Sequence, residues 1–173
     1  IVNNVSAERK LSEVVQEAKE KGYSEPDPRI DLIGKDVLRK LLILARECEY
    51  PLEEKHIDIT PFLPQEFFTD ESVEQFMARL KDYDEAFEQK RKEAESRGMI
   101  LRYAASLKEG KAKVGFIEVD ASHPFYQLED SNNKIMLRTD YYYDHPMEIK
   151  GYGAGADVTA AGVFADIIKV VNL

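Results

Sequence analysis

The hydrophobic pattern of this chain changes near its middle, and this change limits the possible folds more than any other feature. Before Gly98, apolar residues recur at helical spacing, for example in Leu11–Lys21 and in Asp36–Glu47. After Met99, the apolar residues follow a strand pattern. Helices first and strands later are typical of an α+β fold. We therefore predict an α+β domain with a mostly antiparallel sheet that is covered on one face.

The first half is predicted to hold three helical stretches and one short strand. In the second stretch, Asp36–Glu47, the apolar stripe is assigned to Val37, Leu41 and Leu44. A strand is predicted at His56–Thr60, between prolines. The long stretch Ser72–Arg97 carries apolar and aromatic residues at helical spacing, which we interpret as core packing.

The second half is predicted to hold a hairpin, two more strands and a final helix. Ile100–Leu107 and Ala112–Val119 flank a Lys-Glu-Gly-Lys turn. Further strands are predicted at Lys134–Asp140 and Met147–Lys150. The final helix carries its own apolar stripe, formed by Ala160, Val163, Phe164, Ile167, Ile168 and Val171.

Composition narrows the possible partners and the setting. The 173 residues carry a formal net charge of −9, which disfavours nucleic acid and anionic membranes as partners. Cys48 is the single cysteine, so the chain cannot form an internal disulfide. We expect a reducing, cytoplasmic location and a buried Cys48. Because the chain opens with Ile1 rather than Met, we also expect it to be a piece of a longer polypeptide.

The loop and helix from Glu25 to Lys40 form the first candidate site. Two prolines stiffen the loop Tyr23–Asp31 and are expected to exclude a regular helix there. Asp36 and Lys40 lie one helical turn apart and therefore share a face. One interpretation is a solvated ion pair next to a helix dipole. The other is a rigid binding site, with Lys40 in partly apolar surroundings.

The glycine-rich run Gly151–Thr159 forms the second candidate site. Glycines permit close approach of the backbone, and the start of the following helix offers free N–H groups to phosphate. The run is too close to the end of the chain to open a complete dinucleotide-binding fold. It is either a flexible turn or a contact with a nucleotide whose main site lies elsewhere.

The histidines do not suggest a metal site. His56, His123 and His145 lack the spacing of metal ligands, and two of them precede prolines, which favours turns. No metal is therefore predicted.

Taken together, the two candidate sites resemble homoserine dehydrogenase. The first motif consists of Gly22–Arg29, reading GYSEPDPR, and of positions within Asp31–Lys40. The second is Gly151–Val163, reading GYGAGADVTAAGV. The order and length of the sequence between them also fit, so the resemblance covers nearly all of the chain. The stretch Ser72–Arg97 resembles the versions fused to aspartate kinase.

The resemblance implies the fold of that family's catalytic domain, with a mixed, mainly antiparallel sheet flanked by helices. It also implies interconversion of L-homoserine and L-aspartate 4-semialdehyde, with NADP or NAD carrying the hydride, in threonine, methionine and isoleucine biosynthesis. Lys40 matches the lysine proposed to exchange a proton with the substrate oxygen, and Asp36 would keep it charged and aimed.

The same resemblance assigns the remaining site residues. Glu25 matches the carboxylate that binds the substrate amino group, and Asp31 lies in the same acidic lining. Tyr23 lies where backbone contact with the substrate is expected. Gly155 matches a glycine that approaches the cofactor. Ile30 departs from the family pattern, because an acidic residue is expected there.

The resemblance also implies that two parts of the chain have different roles. Residues 1–150 would form the substrate-binding, catalytic and dimerisation domain. Residues 151–173 would form a glycine loop and a helix that return to an upstream nucleotide-binding domain of the same polypeptide. The main cofactor site would then lie outside this chain, which alone would be inactive and is expected to form a homodimer. The alternative is a non-catalytic dimerisation and assembly module.

Overall fold

The structure, a computed structural model, describes residues 1–129, 132–153 and 155–171. The chain folds into two units, Ile1–Tyr126 and Gln127–Leu173. The functional boundary predicted at residue 150 stays a prediction. The predicted α+β class with a mixed, mainly antiparallel sheet is confirmed by the elements of the two units.

The first unit contains five helices and three strands among its described residues. The helices are α1 (Leu11–Glu20), α2 (Arg29–Leu32), α3 (Lys35–Glu47), α4 (Val73–Leu80) and α5 (Asp84–Glu95). The strands are β1 (Ile57–Ile59), β2 (Ile100–Lys108) and β3 (Lys111–Val119). The sheet order is β1-β3-β2, with β1 parallel and β2 antiparallel to β3. The predicted hairpin and short strand are confirmed.

Helices cover one face of this sheet, as predicted. Alternate residues of β2 and β3 point to that face, and Tyr103 lies opposite Phe116 there. Near the hairpin turn, Leu38, Leu41 and Leu42 of α3 pack against Val114 and its neighbours. At the other end, a second cluster is built mainly from α1, α2, α4, α5 and β2. Its largest fully buried members are Phe76, Phe87, Leu11, Leu32 and Leu80.

The buried stripe of α3 differs from the predicted one. The prediction used Leu44, which is 37% exposed, whereas Leu38 and Ala45 are buried. Leu38, Leu41, Leu42 and Ala45 follow the spacing i, i+3, i+4, i+7, which gives a continuous face against the sheet. The prediction of a buried Cys48 is also wrong, because this residue caps the helix end and is exposed.

The long helical stretch predicted at Ser72–Arg97 is interrupted once. A 3₁₀ turn at Lys81–Tyr83 separates α4 from α5. The core role predicted for its aromatic and aliphatic stripe is confirmed for Phe76, Leu80 and Phe87, all of which are buried.

A hydrogen-bond pair joins the starts of α1 and α5. The carboxylate of Asp84 accepts bonds from the backbone N–H and the hydroxyl of Ser12, at 2.8 and 2.6 Å. Ser12 is buried, so removing the acceptor leaves two donors unpaired. We expect Asp84→Ala to lower the free energy of unfolding by about 2 kcal/mol in urea titrations. Glu85→Ala, one residue along, serves as control, and equal stabilities of the two variants would contradict this assignment.

The second unit contains two strands and one helix among its described residues. Strands β4 (Asn132–Leu137) and β5 (Met147–Tyr152) pair antiparallel, with Ile135 opposite Ile149. Helix α6 spans Ala156–Val171. The apolar residues of its predicted stripe are exposed, with Phe164 64% exposed. No helix in the described part of the chain is long and apolar enough to cross a membrane.

Candidate functional site

The segment between α1 and α3, which includes α2, is fixed by local backbone geometry. Gly22 follows the C-cap of helix α1 with a φ of +68°, and the backbone N–H of Tyr23 donates to the carbonyl of Ala18 at 2.9 Å. Pro28 is fully buried, and the short helix α2 begins directly after it. The prediction that the prolines exclude a helix from Tyr23–Asp31 is therefore wrong at the end of that loop, where α2 begins at Arg29, because a proline just before the first turn has no N–H to lose there.

Asp31 connects α2 to the beginning of the loop. Its Oδ2 accepts a hydrogen bond from the backbone N–H of Glu25 at 2.9 Å. The bond fixes the backbone at Glu25 while the side chain of Glu25 stays exposed. Two residues predicted to share one acidic lining are thus joined by a hydrogen bond from the backbone of one to the side chain of the other.

The pKa of Asp31 reflects its burial and the charged groups around it. Burial raises the pKa of the Asp31 carboxyl above its usual range, and the carboxylates of Glu25 and Asp36 raise it further. The hydrogen bond from the Glu25 backbone and the amino group of Ile1 lower this pKa but do not reverse the shift. Glu25 and Asp36 therefore lie close enough to Asp31 to act on its charge, and the three residues form an acidic cluster around it.

Lys40 lies beside this cluster. Its Nζ is 2.8 Å from Oδ2 of Asp36, one helical turn earlier in α3. The predicted pairing is confirmed, but the predicted apolar surroundings are not, since the Lys40 side chain is 47% exposed. By itself this pair is a solvated ion pair of the kind that contributes little to stability.

The start of α3 is fixed by an aromatic contact that sequence reasoning missed. Gly34, with φ +82°, lies directly before the helix, and a Cβ at this position would overlap the hydroxyl of Tyr103. That hydroxyl donates to the carbonyl of Thr60 at 2.9 Å, and burial raises the pKa of Tyr103 to about 12. Alternation along β2 places Tyr103 on the covered face, but its contact with Gly34 depends on the packing of α3.

The remaining predicted residues differ in their placement. The side chain of Tyr23 is 66% exposed at the beginning of the loop. Gly155 belongs to the second unit, directly before α6, and its φ is +125°. Space is open around its missing Cβ, and its carbonyl accepts from the backbone N–H and the hydroxyl of Thr159. The first unit thus brings together Glu25, Asp31, Asp36 and Lys40, whereas Gly155 is described only within its own unit.

The residues that the structure describes do not form a metal site. No group of three or more His, Cys, Asp or Glu side chains is arranged to hold a metal ion there. The acidic cluster is instead paired with a lysine and a backbone amide.

Comparison with known proteins identifies the family. The family described as homoserine dehydrogenase matches residues 1–168. A bifunctional aspartokinase/homoserine dehydrogenase of Haemophilus influenzae is 46% identical over 162 residues, covering 94% of this chain and 20% of that protein. A homoserine dehydrogenase of Schizosaccharomyces pombe is 39% identical over 165 residues, covering 94% of this chain and 44% of that protein.

A solved structure agrees with these sequence matches. A Candida auris protein of unknown function superposes with a TM-score of 0.88 at 36% identity, covering 99% of this chain and 48% of that chain. A putative homoserine dehydrogenase of Archaeoglobus fulgidus superposes with a TM-score of 0.66 at 25% identity, covering 91% of this chain and 42% of that chain. The chain belongs to the homoserine dehydrogenase family. It spans less than half the length of each of these relatives.

The raised pKa of Asp31 predicts a stability cost at the site. Because folding favours the protonated form, the ionised carboxylate destabilises the fold above its folded pKa, and the cost is relieved as pH falls. After allowing for solvent screening of this half-buried group, we expect Asp31→Asn to raise the free energy of unfolding by about 0.5 kcal/mol at pH 7.

The pH dependence provides the control for this prediction. At pH 3 the carboxyl of Asp31 is largely neutral in both states, so the variant should lose its advantage over the wild type. Urea titrations at the two pH values measure the difference. An advantage that persists unchanged at pH 3 would show that charge is not its cause.

Proposed function

We propose that this chain is the substrate-binding part of an NAD(P)-dependent homoserine dehydrogenase, which interconverts L-homoserine and L-aspartate 4-semialdehyde in the cytoplasm. Family membership supports the reaction class. Because the chain spans only 20% and 44% of two relatives, we assign the main nucleotide site to a further part of the polypeptide. The isolated chain would then be inactive.

One observation carries the proposal: a lysine paired with Asp36 stands next to Asp31, whose pKa is raised by burial and by the carboxylates of Glu25 and Asp36. Asp36 links the two residues, since it pairs with Lys40 and raises the pKa of Asp31. Homoserine carries an ammonium group and a hydroxyl group a few bonds apart. An acidic cluster suits the ammonium group, and the neighbouring lysine suits proton exchange with the hydroxyl oxygen.

Lys40 is assigned the proton transfer. When bound, the nicotinamide cofactor supplies hydride to the aldehyde carbon or accepts it from the alcohol carbon. In the reducing direction, the Lys40 ammonium donates a proton to the substrate oxygen as negative charge develops there. Asp36 aims the Lys40 side chain, at the 2.8 Å separation of the resting pair.

The loop residues are assigned to binding. The exposed carboxylate of Glu25 pairs with the substrate ammonium, and Asp31 contributes charge to the same lining while it fixes the Glu25 backbone. Tyr23 offers a main-chain contact at the beginning of the loop.

The glycine loop fits an edge contact with the cofactor. Gly155 leaves open space at its Cβ position and precedes the first turn of a 16-residue helix, so backbone N–H groups are accessible to a phosphate. No lysine or arginine occurs in Gly151–Thr159 to bind the phosphates by charge. This supports a minor contribution from this chain and a main site elsewhere.

A non-catalytic assembly module is the second candidate, and a specific observation favours it. Strands β4 and β5 expose apolar side chains, including Ile149 at 51% and Tyr152 at 68%. An exposed apolar strand pair is a usual surface for association between copies. Homodimer formation is compatible with both candidates and does not separate them.

Restoring the complete polypeptide separates the two candidates. The test is homoserine-dependent reduction of NADP and of NAD, followed by absorbance, with the isolated chain assayed in parallel. We expect turnover by the complete protein alone. A folded, dimeric complete protein without turnover would favour the assembly module.

A further inference from the structure

Arg29 lies between the predicted substrate loop and a distant segment of the chain. On one side, its Nε and Nη2 donate to the carboxylate of Asp27, with Nη2 2.8 Å from Oδ2. On the other side, Nη1 donates to the backbone carbonyls of Thr69 and Glu71, at 2.6 and 2.9 Å. A single guanidinium thus joins the loop to the residues directly before α4.

Burial and several simultaneous bonds hold the Arg29 side chain in one position. The Arg29 side chain is only 17% exposed, and its guanidinium carbon lies 5.5 Å from the ring centroid of Phe76, which is fully buried. The planar fork binds the carboxylate through two nitrogens and still reaches two carbonyls with the third. The Asp27 carboxylate also accepts from the backbone N–H of Arg29 at 3.1 Å, which closes the turn on itself.

The position of Arg29 in the chain transmits this rigidity to the substrate-binding carboxylates. Arg29 is the first residue of α2, and Asp31 follows within the same turn. Asp31 in turn holds the backbone of Glu25. Movement of Arg29 would therefore displace the carboxylates of Glu25 and Asp31 together. Lys40 would stay in place, because it lies on α3, beyond Gly34.

We propose that Arg29 is a positioning residue, which anchors the loop of Glu25 and Asp31 to the segment 69–71 and thereby sets the affinity for the substrate's amino group. The proposal rests on the proposed function for its kinetic consequence. Arg29 touches Asp27, two backbone carbonyls and Phe76, so its effect on the substrate is exerted through the loop.

Arg79 provides a matched control. It binds the carbonyls of Glu66 and Phe67, the hydroxyl of Thr69 and the carboxylate of Glu71, and it lies over the Phe67 ring. It is therefore a second, partly buried arginine fork on the same segment, and all of these contacts lie outside the substrate loop. Arg79→Lys removes a comparable set of hydrogen bonds, none of which involves the substrate loop.

The test compares Arg29→Lys with Arg79→Lys in the complete protein. Lysine keeps the charge but cannot reproduce the fork. For Arg29→Lys we expect a KM for homoserine about tenfold higher, with kcat and the KM for NADP within about twofold, since misplaced binding groups weaken binding while Lys40 stays in place. Arg79→Lys loosens segment 69–71 but leaves the Arg29 fork bound to Asp27 and to both carbonyls, so the KM for homoserine should rise by less than about twofold.

Amide hydrogen exchange gives a readout that does not depend on turnover. Arg29→Lys should speed exchange in residues 23–31, whereas Arg79→Lys should speed it only around residues 66–71. Equal KM changes in the two variants, or unchanged exchange in residues 23–31 of Arg29→Lys, would overturn the proposal. A wild-type protein without homoserine turnover would refute the proposed function instead, and exchange would still decide whether Arg29 anchors the loop.

Discussion

Replacing Lys40 by alanine is expected to lower kcat for homoserine oxidation about 100- to 10,000-fold in the complete protein, the usual contribution of a positioned general acid–base group, which in this direction accepts the hydroxyl proton. Stability should hardly change. The lysine is about half exposed, and a helical i,i+4 pair is worth only about 0.5 kcal/mol. The measurements are initial rates of NADP reduction and thermal unfolding of the same samples.

Lys35→Ala is the control for this prediction. Lys35 is an exposed lysine at the first position of the same helix, so its removal changes the charge and the helix propensity in a similar way. We expect near-normal turnover for Lys35→Ala. Normal turnover of Lys40→Ala would remove Lys40 from the proton-transfer step.

Replacing Glu25 by glutamine is expected to raise the KM for homoserine about 10- to 100-fold, because a charge-assisted bond to the substrate ammonium becomes a neutral one. The fall in kcat should be smaller than for Lys40→Ala, since the proton donor is untouched. The backbone bond from Glu25 to Asp31 does not involve the exchanged side chain. Loop geometry should therefore be preserved.

Glu20→Gln controls for the loss of one negative charge near the loop. Glu20 lies at the exposed end of α1, where it accepts a bond from Gln16. Steady-state titration with homoserine measures both variants. An unchanged KM in Glu25→Gln, or an equal rise in Glu20→Gln, would show that Glu25 does not bind the amino group.

Elements with a strong local pattern could be predicted from the sequence. Helix α1 begins and ends within a residue of its prediction because Gly22 stops a clear apolar stripe. The hairpin of β2 and β3 follows from alternation on both sides of a short turn. The pairing of Asp36 with Lys40 follows from helical geometry alone.

Features that depend on distant partners could not be predicted in this way. Ser12 and Asp84 are 72 residues apart, and nothing in either local sequence indicates their bond. The same holds for the contact of Arg29 with residues 69–71, which the chain brings together only through folding. The burial that raises the pKa of Asp31 is likewise a tertiary effect. Residue types and spacing indicated the site, but its rigidity came from long-range packing.

The most direct test of the central claim is a crystal structure of the complete protein with homoserine and an oxidised nicotinamide cofactor. We expect the substrate ammonium within about 3 Å of the Glu25 carboxylate and its hydroxyl within about 3 Å of the Lys40 ammonium. Homoserine bound with its hydroxyl group remote from Lys40, or bound away from the loop 23–31, would contradict the assignment of this chain as the substrate-binding and proton-transfer part of the enzyme.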